Sequence, residues 1–171
     1  MKTVFDEKVI KAKIITLAPK IESYYRHIDS KGEKPLIVIP ILNGGIFFFV
    51  DLYRELRLKK EMGIISTNHY GKAEVPFKSV KLRYCDADVE GKNVLLVDEI
   101  CFTGKTLQNV KEIFLNEGAL DVKSVVLVDH IRDEKIYSPD WSAVEYYGDA
   151  WLYGYGMDID GLYRELMDIV E

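Results

Sequence analysis

The amino-acid sequence predicts an α/β fold, in which a parallel sheet core is flanked by helices. Short apolar runs rich in β-branched residues alternate with helical segments, and such runs are typical of strands buried on both faces. Four runs fit this description: 35–42, 62–70, 94–99 and 122–130. The 171 residues are enough for one domain with a substantial core, so we expect residues 1–171 to form a single domain.

Helices are predicted between these strands from the spacing of apolar residues. The predicted helical segments are 4–26, 46–57 and 103–118. Pro19 is expected to kink or divide the first of them, because proline lacks an amide hydrogen. Gly118 is the expected end of the third, since glycine commonly follows the last helical turn. Alternating strands and helices of this kind imply helices on both faces of the sheet.

The remaining segments are predicted to be irregular or exposed. Residues 71–78 are polar and contain Gly and Pro, which indicates a loop, and 79–84 alternate in polarity like an exposed strand. Residues 89–93 predict a turn. The Tyr- and Gly-rich end of the chain, from 143 onward, is expected to finish in a short helix.

Composition and charge limit the classes of function. Hydrophobic residues make up 48% of the chain and charged residues 30%, which is ordinary for a globular protein. The net charge of −5 argues against a general nucleic-acid surface, although a small anionic ligand needs only local donors. The longest apolar run, 44–50, is too short to span a bilayer, and the first residues lack a signal-peptide layout. Cys85 and Cys101 form no CxxC motif, so we expect a reduced, cytoplasmic setting without membrane association.

The turn at 102–106 has the features of an anion site. It leads from a buried strand into a helix, where unpaired backbone N–H groups and the helix dipole favour negative charge. Thr103 and Thr106 add hydroxyl donors, and Gly104 permits a close approach of the backbone. The turn therefore predicts a binding site for a phosphate monoester.

Two carboxylates, Asp98 and Glu99, immediately precede this turn at the end of a strand. They could accept hydrogen bonds from vicinal sugar hydroxyls or hold Mg²⁺ through oxygen ligands. A nucleoside-triphosphate P-loop is rejected, because that motif requires glycine at the position of Glu99. As an alternative, the acids could simply be solvated strand-end charges, with Thr103 as a helix N-cap. That alternative explains each residue but not their combination. Ligands of parallel sheets bind outside the carboxyl ends of the strands, where these acids and residues 43–45 both lie.

Several segments together resemble a known family. Residues 94–106, VLLVDEICFTGKT, resemble the phosphoribosyl-diphosphate signature of the type I phosphoribosyltransferases. Residues 38–56, VIPILNGGIFFFVDLYREL, are similar to the strand, pyrophosphate loop and helix of the hypoxanthine-guanine subgroup. Residues 149–166, DAWLYGYGMDIDGLYREL, resemble its C-terminal purine-facing segment. The resemblance implies the type I phosphoribosyltransferase fold, with a small hood built from the N- and C-terminal segments.

The resemblance also implies an activity. Members of this family transfer a 5-phosphoribosyl group from phosphoribosyl diphosphate to a nucleobase and release pyrophosphate with Mg²⁺. For this chain a purine is implied, in salvage of the hypoxanthine-guanine type, by a cytoplasmic dimer or tetramer. The implied catalytic acids are Asp98 and Glu99, which with Asp158 are also the implied metal ligands. The implied substrate-binding residues are Asn43, Gly44 and Gly45 for pyrophosphate, Phe102, Thr103, Gly104, Lys105 and Thr106 around the 5′-phosphate, Asp129, Trp151 and Leu152 for the base, and Arg164 for the leaving pyrophosphate.

Two further features are implied by the resemblance. A cis peptide bond that is not followed by proline is expected near Leu42–Asn43. Residues 69–79, including His69 and Tyr70 in place of the family's Ser-Tyr pair, resemble the mobile lid that closes over the site. Such a lid would keep water from the activated sugar.

Three positions depart from the hypoxanthine-guanine pattern. Phe102 replaces an Asp that handles the proton at the purine N7, Asp129 stands where we place the Lys that binds the 6-oxo group, and Asn43 replaces a Lys. An ionised Asp only accepts hydrogen bonds, whereas Lys only donates them. We therefore expect a base that presents N–H or NH₂ groups. Other type I members also lack the acid at the position of Phe102, so its loss does not imply lost catalysis.

A second hypothesis is a regulatory protein that senses phosphoribosyl diphosphate or nucleotides. No helix-turn-helix pattern or basic DNA-binding segment is visible in the sequence, which favours an enzyme. Pyrophosphate release would separate the two hypotheses, because a sensor binds its ligands without turnover.

Overall fold

The computed structural model describes residues 1–29, 31–67 and 82–171. In these ranges the chain forms three helices: α1 (Glu7–Ile28), α2 (Ile46–Glu55) and α3 (Lys105–Asn116). The strands of the same ranges are β1 (Thr3–Phe5), β2 (Leu36–Leu42), β3 (Lys60–Met62), β4 (Ile64–Thr67), β5 (Leu82–Asp86), β6 (Asn93–Cys101), β7 (Asp121–His130), β8 (Trp141–Tyr146) and β9 (Ile169–Val170). None of the helices in these ranges is long and apolar enough to cross a membrane.

The main sheet has the order β5-β4-β2-β6-β7-β8, with β3 also paired to β2. All of its pairs are parallel except the antiparallel pair of β4 with β5. At its centre, Val38 of β2 pairs with Leu95 of β6, and Cys101 of β6 pairs with Asp129 of β7. The predicted α/β fold with a parallel sheet core is confirmed.

Helices cover both faces of the sheet, as the alternation of side chains in β6 requires. Leu95 and Val97 point into a core formed with α1 and α2, whereas Leu96 points into a second core formed with α3. Phe48 of α2 and Phe114 of α3 are fully buried, one in each core. The parallel strands are thus held in place from both sides, and their carboxyl ends come to lie at one edge.

The first helix differs from the prediction at its start and at its proline. Thr3–Phe5 form a strand rather than a helical turn, and α1 begins after Asp6, whose carboxylate accepts a hydrogen bond from the Val9 N–H at 2.8 Å. Pro19 does not divide the helix. The carbonyl that would have bonded to its missing amide belongs to Ile15, which is exposed, so water can bind that oxygen.

The predicted short helix at the end of the chain is wrong. Tyr155, Asp160 and Tyr163 have positive φ angles, which a right-handed helix excludes. Instead, Ile169–Val170 form β9, which pairs antiparallel with β1 and joins the two ends of the chain in a small hood. The predicted loop 71–78 and the resemblance-based lid at 69–79 lie outside the described residues.

Candidate active site

The carboxyl ends of β2, β6 and β7 lie side by side at one edge of the sheet, because these three strands are parallel neighbours. β2 ends at Leu42, β6 at Cys101 and β7 at His130. The predicted loops at 43–45 and 102–106 follow the first two strands directly. Open parallel sheets bind their ligands outside this edge.

The two adjacent acids of β6 differ in burial, since Asp98 is buried and Glu99 half-buried. Asp98 is only 8% exposed and accepts a hydrogen bond from the Glu99 N–H at 3.0 Å. Burial raises the pKa of Asp98 well above its usual range, and the Glu99 carboxylate raises that pKa further. In the described part of the chain, Oε2 of Glu99 is buried without a hydrogen-bond partner. A buried carboxylate oxygen without a partner fits a site completed by a cation or by ligand hydroxyl groups.

The glycine loop after β2 lies directly against this acid pair. A Cβ atom on Gly44 would lie 1.9 Å from Oε1 of Glu99, and one on Gly45 would lie 2.8 Å from the Val97 carbonyl oxygen. Neither position can therefore carry a side chain without displacing its neighbour. The peptide bond between Leu42 and Asn43 is cis, as predicted from the family resemblance.

The turn between β6 and α3 presents the N-terminus of a twelve-residue helix. Gly104 is the N-cap residue, has a φ of +82° and makes no side-chain capping hydrogen bond. A Cβ atom at this position would lie 2.0 Å from the Tyr137 carbonyl oxygen, so only glycine fits. Thr103 is not the N-cap, but its hydroxyl oxygen accepts a hydrogen bond from the Lys105 N–H at 3.3 Å. The positive end of the helix dipole at this turn favours a bound anion.

The other wall of the edge is built around the ring of Phe102. The His130 ring meets it edge-on, with 5.0 Å between centroids, and the Arg132 guanidinium lies 4.3 Å above its centre. Nε2 of His130 lies 2.7 Å from the Gly148 carbonyl oxygen and 3.1 Å from Nε of Arg132, so this ring nitrogen contacts both groups. Burial lowers the pKa of His130, and the positive charge of Arg132 lowers it further. The hydrogen bond with the Gly148 carbonyl raises this pKa but does not reverse the net lowering. His130 is therefore neutral at pH 7.

Asp129 points away from this wall. Its carboxylate accepts a hydrogen bond from the Lys135 ammonium group, which also donates to the His130 carbonyl oxygen at 3.3 Å. Successive side chains of a strand lie on opposite faces, so Asp129 and His130 cannot both face Phe102. Sequence reasoning placed Asp129 at the base and missed His130, Arg132 and Lys135.

The segment after β8 brings three of the predicted residues together. The indole Nε1 of Trp151 donates to the Asp158 carbonyl oxygen at 3.0 Å, and the Asp158 carboxylate pairs with Arg164 at 2.6 Å. Trp151 is 69% exposed, whereas Leu152 is buried in the core. The side chains of Trp151, Asp158 and Arg164 thus form one linked group.

This linked group lies next to the glycine loop. Gly156 has a φ of +100°, and a Cβ atom there would lie 2.2 Å from the Gly44 carbonyl oxygen. The Arg164 guanidinium donates to the Gly156 carbonyl oxygen, and the Gly156 N–H donates to the Arg164 carbonyl oxygen at 2.9 Å. The C-terminal segment and the glycine loop are therefore in direct backbone contact.

Comparisons with known proteins identify the family of the chain. Residues 3–155 match the family model described as phosphoribosyl transferase domain. The chain belongs to the phosphoribosyltransferase family. Hypoxanthine-guanine phosphoribosyltransferase of Aquifex aeolicus is 30% identical over 171 residues, which cover 99% of this chain and 93% of that protein. Hypoxanthine phosphoribosyltransferase of Escherichia coli K12 is 31% identical over 165 residues, covering 94% and 88%. A solved structure of Trypanosoma cruzi hypoxanthine phosphoribosyl transferase superposes with a TM-score of 0.89 at 30% identity, covering 99% of this chain and 90% of that one.

Most of the predicted site residues of this phosphoribosyltransferase fall into two neighbouring groups. Phe102 instead lies in the wall with His130 and Arg132, and Leu152 is buried in the core. The first group is formed by the acids, the glycine loop and the turn: Asn43, Gly44, Gly45, Asp98, Glu99, Thr103, Gly104, Lys105 and Thr106. The second is the linked group of Trp151, Asp158 and Arg164. Asp129 belongs to neither group, because Lys135 engages its carboxylate. In the described ranges, no three His, Cys, Asp or Glu side chains come together as a metal site, so Asp98, Glu99 and Asp158 form no single cluster.

Proposed function

We propose that this phosphoribosyltransferase transfers the 5-phosphoribosyl group of phosphoribosyl diphosphate to N9 of a 6-oxopurine and releases pyrophosphate. The observation that carries the proposal is the pair of buried Asp98 and half-buried Glu99, which lies against the Gly44 backbone and is followed by the N-terminus of α3. The names of the A. aeolicus and E. coli relatives, which refer to hypoxanthine and guanine, support the choice of base.

The donor is held by the carboxyl ends of β2 and β6. Asp98 and Glu99 bind the ribose hydroxyls, either by accepting hydrogen bonds from them or by holding a metal ion that the hydroxyls coordinate. The N–H groups of residues 102–106 and the Thr103 and Thr106 hydroxyls bind the 5′-phosphate, where the helix dipole adds favourable potential. Asn43, Gly44 and Gly45 bind the pyrophosphate through their backbone.

Mg²⁺ fits the carboxylates of this site. Mg²⁺ binds proteins through one or two carboxylates, with substrate oxygens and water as its remaining ligands, so two adjacent acids suffice. Asp98 and Glu99 would hold one ion and Asp158 a second, and the ions would stabilise the charge of the leaving pyrophosphate. Oε2 of Glu99 has no hydrogen-bond partner among the described residues, which supports this assignment.

The other residues orient the groups that react. The charge that develops on pyrophosphate is stabilised by preorganised donors, for which we assign the loop N–H groups and the Arg164 guanidinium. Arg164 is held towards the loop by its hydrogen bond to the Gly156 carbonyl oxygen. Trp151 stacks on the purine, a role that its 69% exposed ring supports, with Leu152 fixing the adjoining backbone in the core.

The base wall offers a hydrogen-bond donor that suits a 6-oxopurine. Arg132 can donate only, and it lies over Phe102 at the edge of the site. The acceptor that argued for a different base, Asp129, is already bound by Lys135. Phe102 cannot accept a proton, so the N7 position must be served by another residue or by water. A phosphoribosyltransferase for an amino-bearing base is the second candidate, because the neutral His130 ring retains an acceptor nitrogen.

Pyrophosphate release tests the proposal. The purified protein, phosphoribosyl diphosphate and Mg²⁺ are mixed with hypoxanthine, guanine, xanthine or adenine, and kcat/KM is measured for each. We expect the 6-oxopurines to exceed adenine by about 10⁴-fold, the discrimination typical of a site that hydrogen-bonds one functional group. Preference for adenine would overturn the assigned base. Binding of phosphoribosyl diphosphate without release for any base would overturn the activity and favour a sensor.

Three coarser properties accompany the activity. We propose that residues 1–171 function as one domain, in the cytoplasm, as a dimer or tetramer. The exposed apolar side chains of Ile46, Phe47 and Val50 on α2 support self-association. Light scattering after size-exclusion chromatography would measure the mass, and substitution of Phe47 by Glu should lower it if α2 forms the interface.

A further inference from the structure

A continuous row of side-chain contacts connects the hood to the base wall. Lys2 pairs with Oε1 of Glu171 at 2.6 Å, and the Tyr146 hydroxyl donates to Oε2 of the same carboxylate at 3.0 Å. The Tyr146 ring contacts the His130 ring with 5.1 Å between centroids, and His130 contacts Phe102 at 5.0 Å. Each member of the row therefore touches the next, from the terminal strands to the carboxyl edge of the sheet.

Backbone structure holds both ends of the row in place. Lys2 and Glu171 exchange two backbone hydrogen bonds of 3.0 Å. Their ion pair therefore joins two residues whose backbones are already paired. Tyr146 is the last residue of β8 and pairs in register with His130 of β7. These restraints lower the entropy cost that normally weakens a surface ion pair.

The turn that bonds to His130 also rests on Tyr146. A Cβ atom on Gly148 would lie 2.3 Å from the Tyr146 hydroxyl oxygen, so the turn and the hydroxyl group are in close contact. The carbonyl oxygen of the same glycine lies 2.7 Å from Nε2 of His130. Tyr146 thus restrains the imidazole twice, through its ring and through the Gly148 carbonyl.

We propose that Tyr146 and Glu171 are positioning residues that fix His130, and through it Phe102, for binding of the base. This inference rests on the proposed function. It assigns to the hood a role in base affinity, whereas the donor-binding residues belong to β2, β6 and α3. The hydrogen bond from the Tyr146 hydroxyl to Glu171 fixes the position of the Tyr146 ring. When this bond is lost, the ring can move, and the His130 imidazole that it contacts is less restrained.

The test is a pair of matched Tyr→Phe substitutions. Tyr146→Phe removes the hydroxyl bond to Glu171 and keeps the ring. Tyr24→Phe removes the same kind of bond, from the Tyr24 hydroxyl to Asp121 at 2.9 Å, at the opposite edge of the sheet. We expect Tyr146→Phe to raise KM for hypoxanthine about two- to tenfold, the factor of one net hydrogen bond, with kcat and KM for phosphoribosyl diphosphate within about twofold.

The control variant and a second substitution sharpen the outcome. Tyr24→Phe should lower the melting temperature comparably but leave KM for hypoxanthine unchanged. Glu171→Gln keeps an acceptor for Tyr146 and should raise KM less than Tyr146→Phe does. Equal KM values for wild type and Tyr146→Phe, or equal rises in both Tyr→Phe variants, would overturn the positioning role.

A readout without turnover separates this inference from the proposed activity. The imidazole C–H resonances of His130 in NMR spectra report its position directly. They should shift in Tyr146→Phe and stay in place in Tyr24→Phe, whether or not any base is converted. If wild type releases no pyrophosphate, the proposed function fails, while unshifted His130 resonances in Tyr146→Phe would refute the positioning role.

Discussion

The two halves of the candidate site are built in different ways. The donor half, around Asp98, Glu99 and Gly104, comes from two strand ends and the turns that follow them, and much of its surface is backbone. The base half, as we propose it, combines side chains far apart in sequence, because Phe102, His130 and Trp151 belong to three segments. Its shape depends on contacts between those side chains.

This difference predicts how each half responds to change. A backbone-lined site tolerates no added atoms, because the peptide groups that bind the ligand cannot move apart. In a site lined by side chains, a substitution changes the groups that contact the ligand. Such substitutions are expected to change specificity more than turnover. We therefore expect large losses of activity from small changes in the donor half and moderate, base-selective effects in the base half.

The largest effect is expected for Gly44→Ala. Its Cβ atom would lie 1.9 Å from Oε1 of Glu99, and the Glu99 side chain would have to swing away. Because a side-chain end moves easily, the substitution should cost activity rather than stability. We expect kcat/KM to fall about 100-fold, the loss typical of a 1 Å misplacement of a catalytic group. Steady-state pyrophosphate release measures this loss.

Gly91→Ala is the control for the glycine substitution. Gly91 has a φ of +67°, a Cβ atom added there would meet no other atom within 4 Å, and the residue precedes β6 at the opposite edge of the sheet. Alanine there should cost about 1 kcal/mol of stability through its backbone conformation and leave kcat/KM unchanged. Wild-type activity in Gly44→Ala would show that Glu99 is not needed where the structure holds it.

The next effect is expected for Asp98→Asn, which should lose activity and gain stability. Losing a charged acceptor for the ribose should lower kcat/KM about 10- to 100-fold. Burial raises the pKa of Asp98 above its ordinary value of 3.8, so the folded protein holds a proton that the unfolded chain releases. The free energy of unfolding therefore falls as pH rises from the unfolded-state pKa of Asp98 to its folded-state pKa. Above the folded-state pKa, the cost of the buried Asp98 charge is complete.

Thermal unfolding across pH checks this second prediction. In the absence of ligand, the melting temperature of Asp98→Asn should exceed that of wild type at neutral pH, and the gap should close towards pH 4. Asp140→Asn is the matched control, because its carboxylate accepts a hydrogen bond from the Ser124 N–H at 2.8 Å and pairs with Lys123 at 3.0 Å. That variant should lose stability and keep its activity. If Asp98→Asn melted below wild type at neutral pH, the prediction that the buried Asp98 charge destabilises the protein would be wrong.

The same division explains what the sequence could predict. The donor half lies within contiguous motifs, so the acids and the turn were assigned from local patterns, and the cis bond at Leu42–Asn43 from the family resemblance that those motifs carry. The short C-terminal helix failed because its apolar spacing suits a helix, whereas tertiary contacts of Tyr155 and Tyr163 impose positive φ angles. Packing against the Gly44 loop and pairing with β1 outweigh local propensity there.

The side-chain direction of Asp129 could not be predicted, because its strand lacks the polarity pattern that sets register. Residues 124–130 of β7 are all buried, so polarity does not alternate and either Asp129 or His130 could have faced the base. The Lys135 partner of Asp129 comes from the following loop, which no periodicity reveals. Only the three-dimensional contacts decide between neighbouring residues on a strand buried on both faces.

Trp151→Ala tests the base half and should have a moderate effect. Stacking of a base on an aromatic ring contributes about 1–3 kcal/mol, so KM for the purine should rise about tenfold while KM for phosphoribosyl diphosphate is nearly unchanged. Tyr147→Ala removes an equally exposed aromatic ring, 70% against 69%, and should leave both constants unchanged. Trp151→Phe, which loses only the N–H bond to Asp158, should lie close to wild type. A rise in both KM values would place Trp151 outside the base half.

The smallest effect is expected for Phe102→Leu. Leucine keeps the apolar volume but removes the ring that the Arg132 guanidinium stacks on at 4.3 Å and that the His130 edge contacts. A partly exposed cation–π contact contributes about 0.5–1 kcal/mol, so KM for the purine should rise about two- to fivefold. Phe102→Tyr retains the ring and should match wild type. Initial rates at varied purine concentration give KM for both variants, and the difference between them reports the contribution of the ring contacts. Turnover should persist in both variants, because no proton is transferred by a phenyl group. A loss of kcat as large as that of Gly44→Ala would instead place Phe102 in the donor half and remove the distinction between the two.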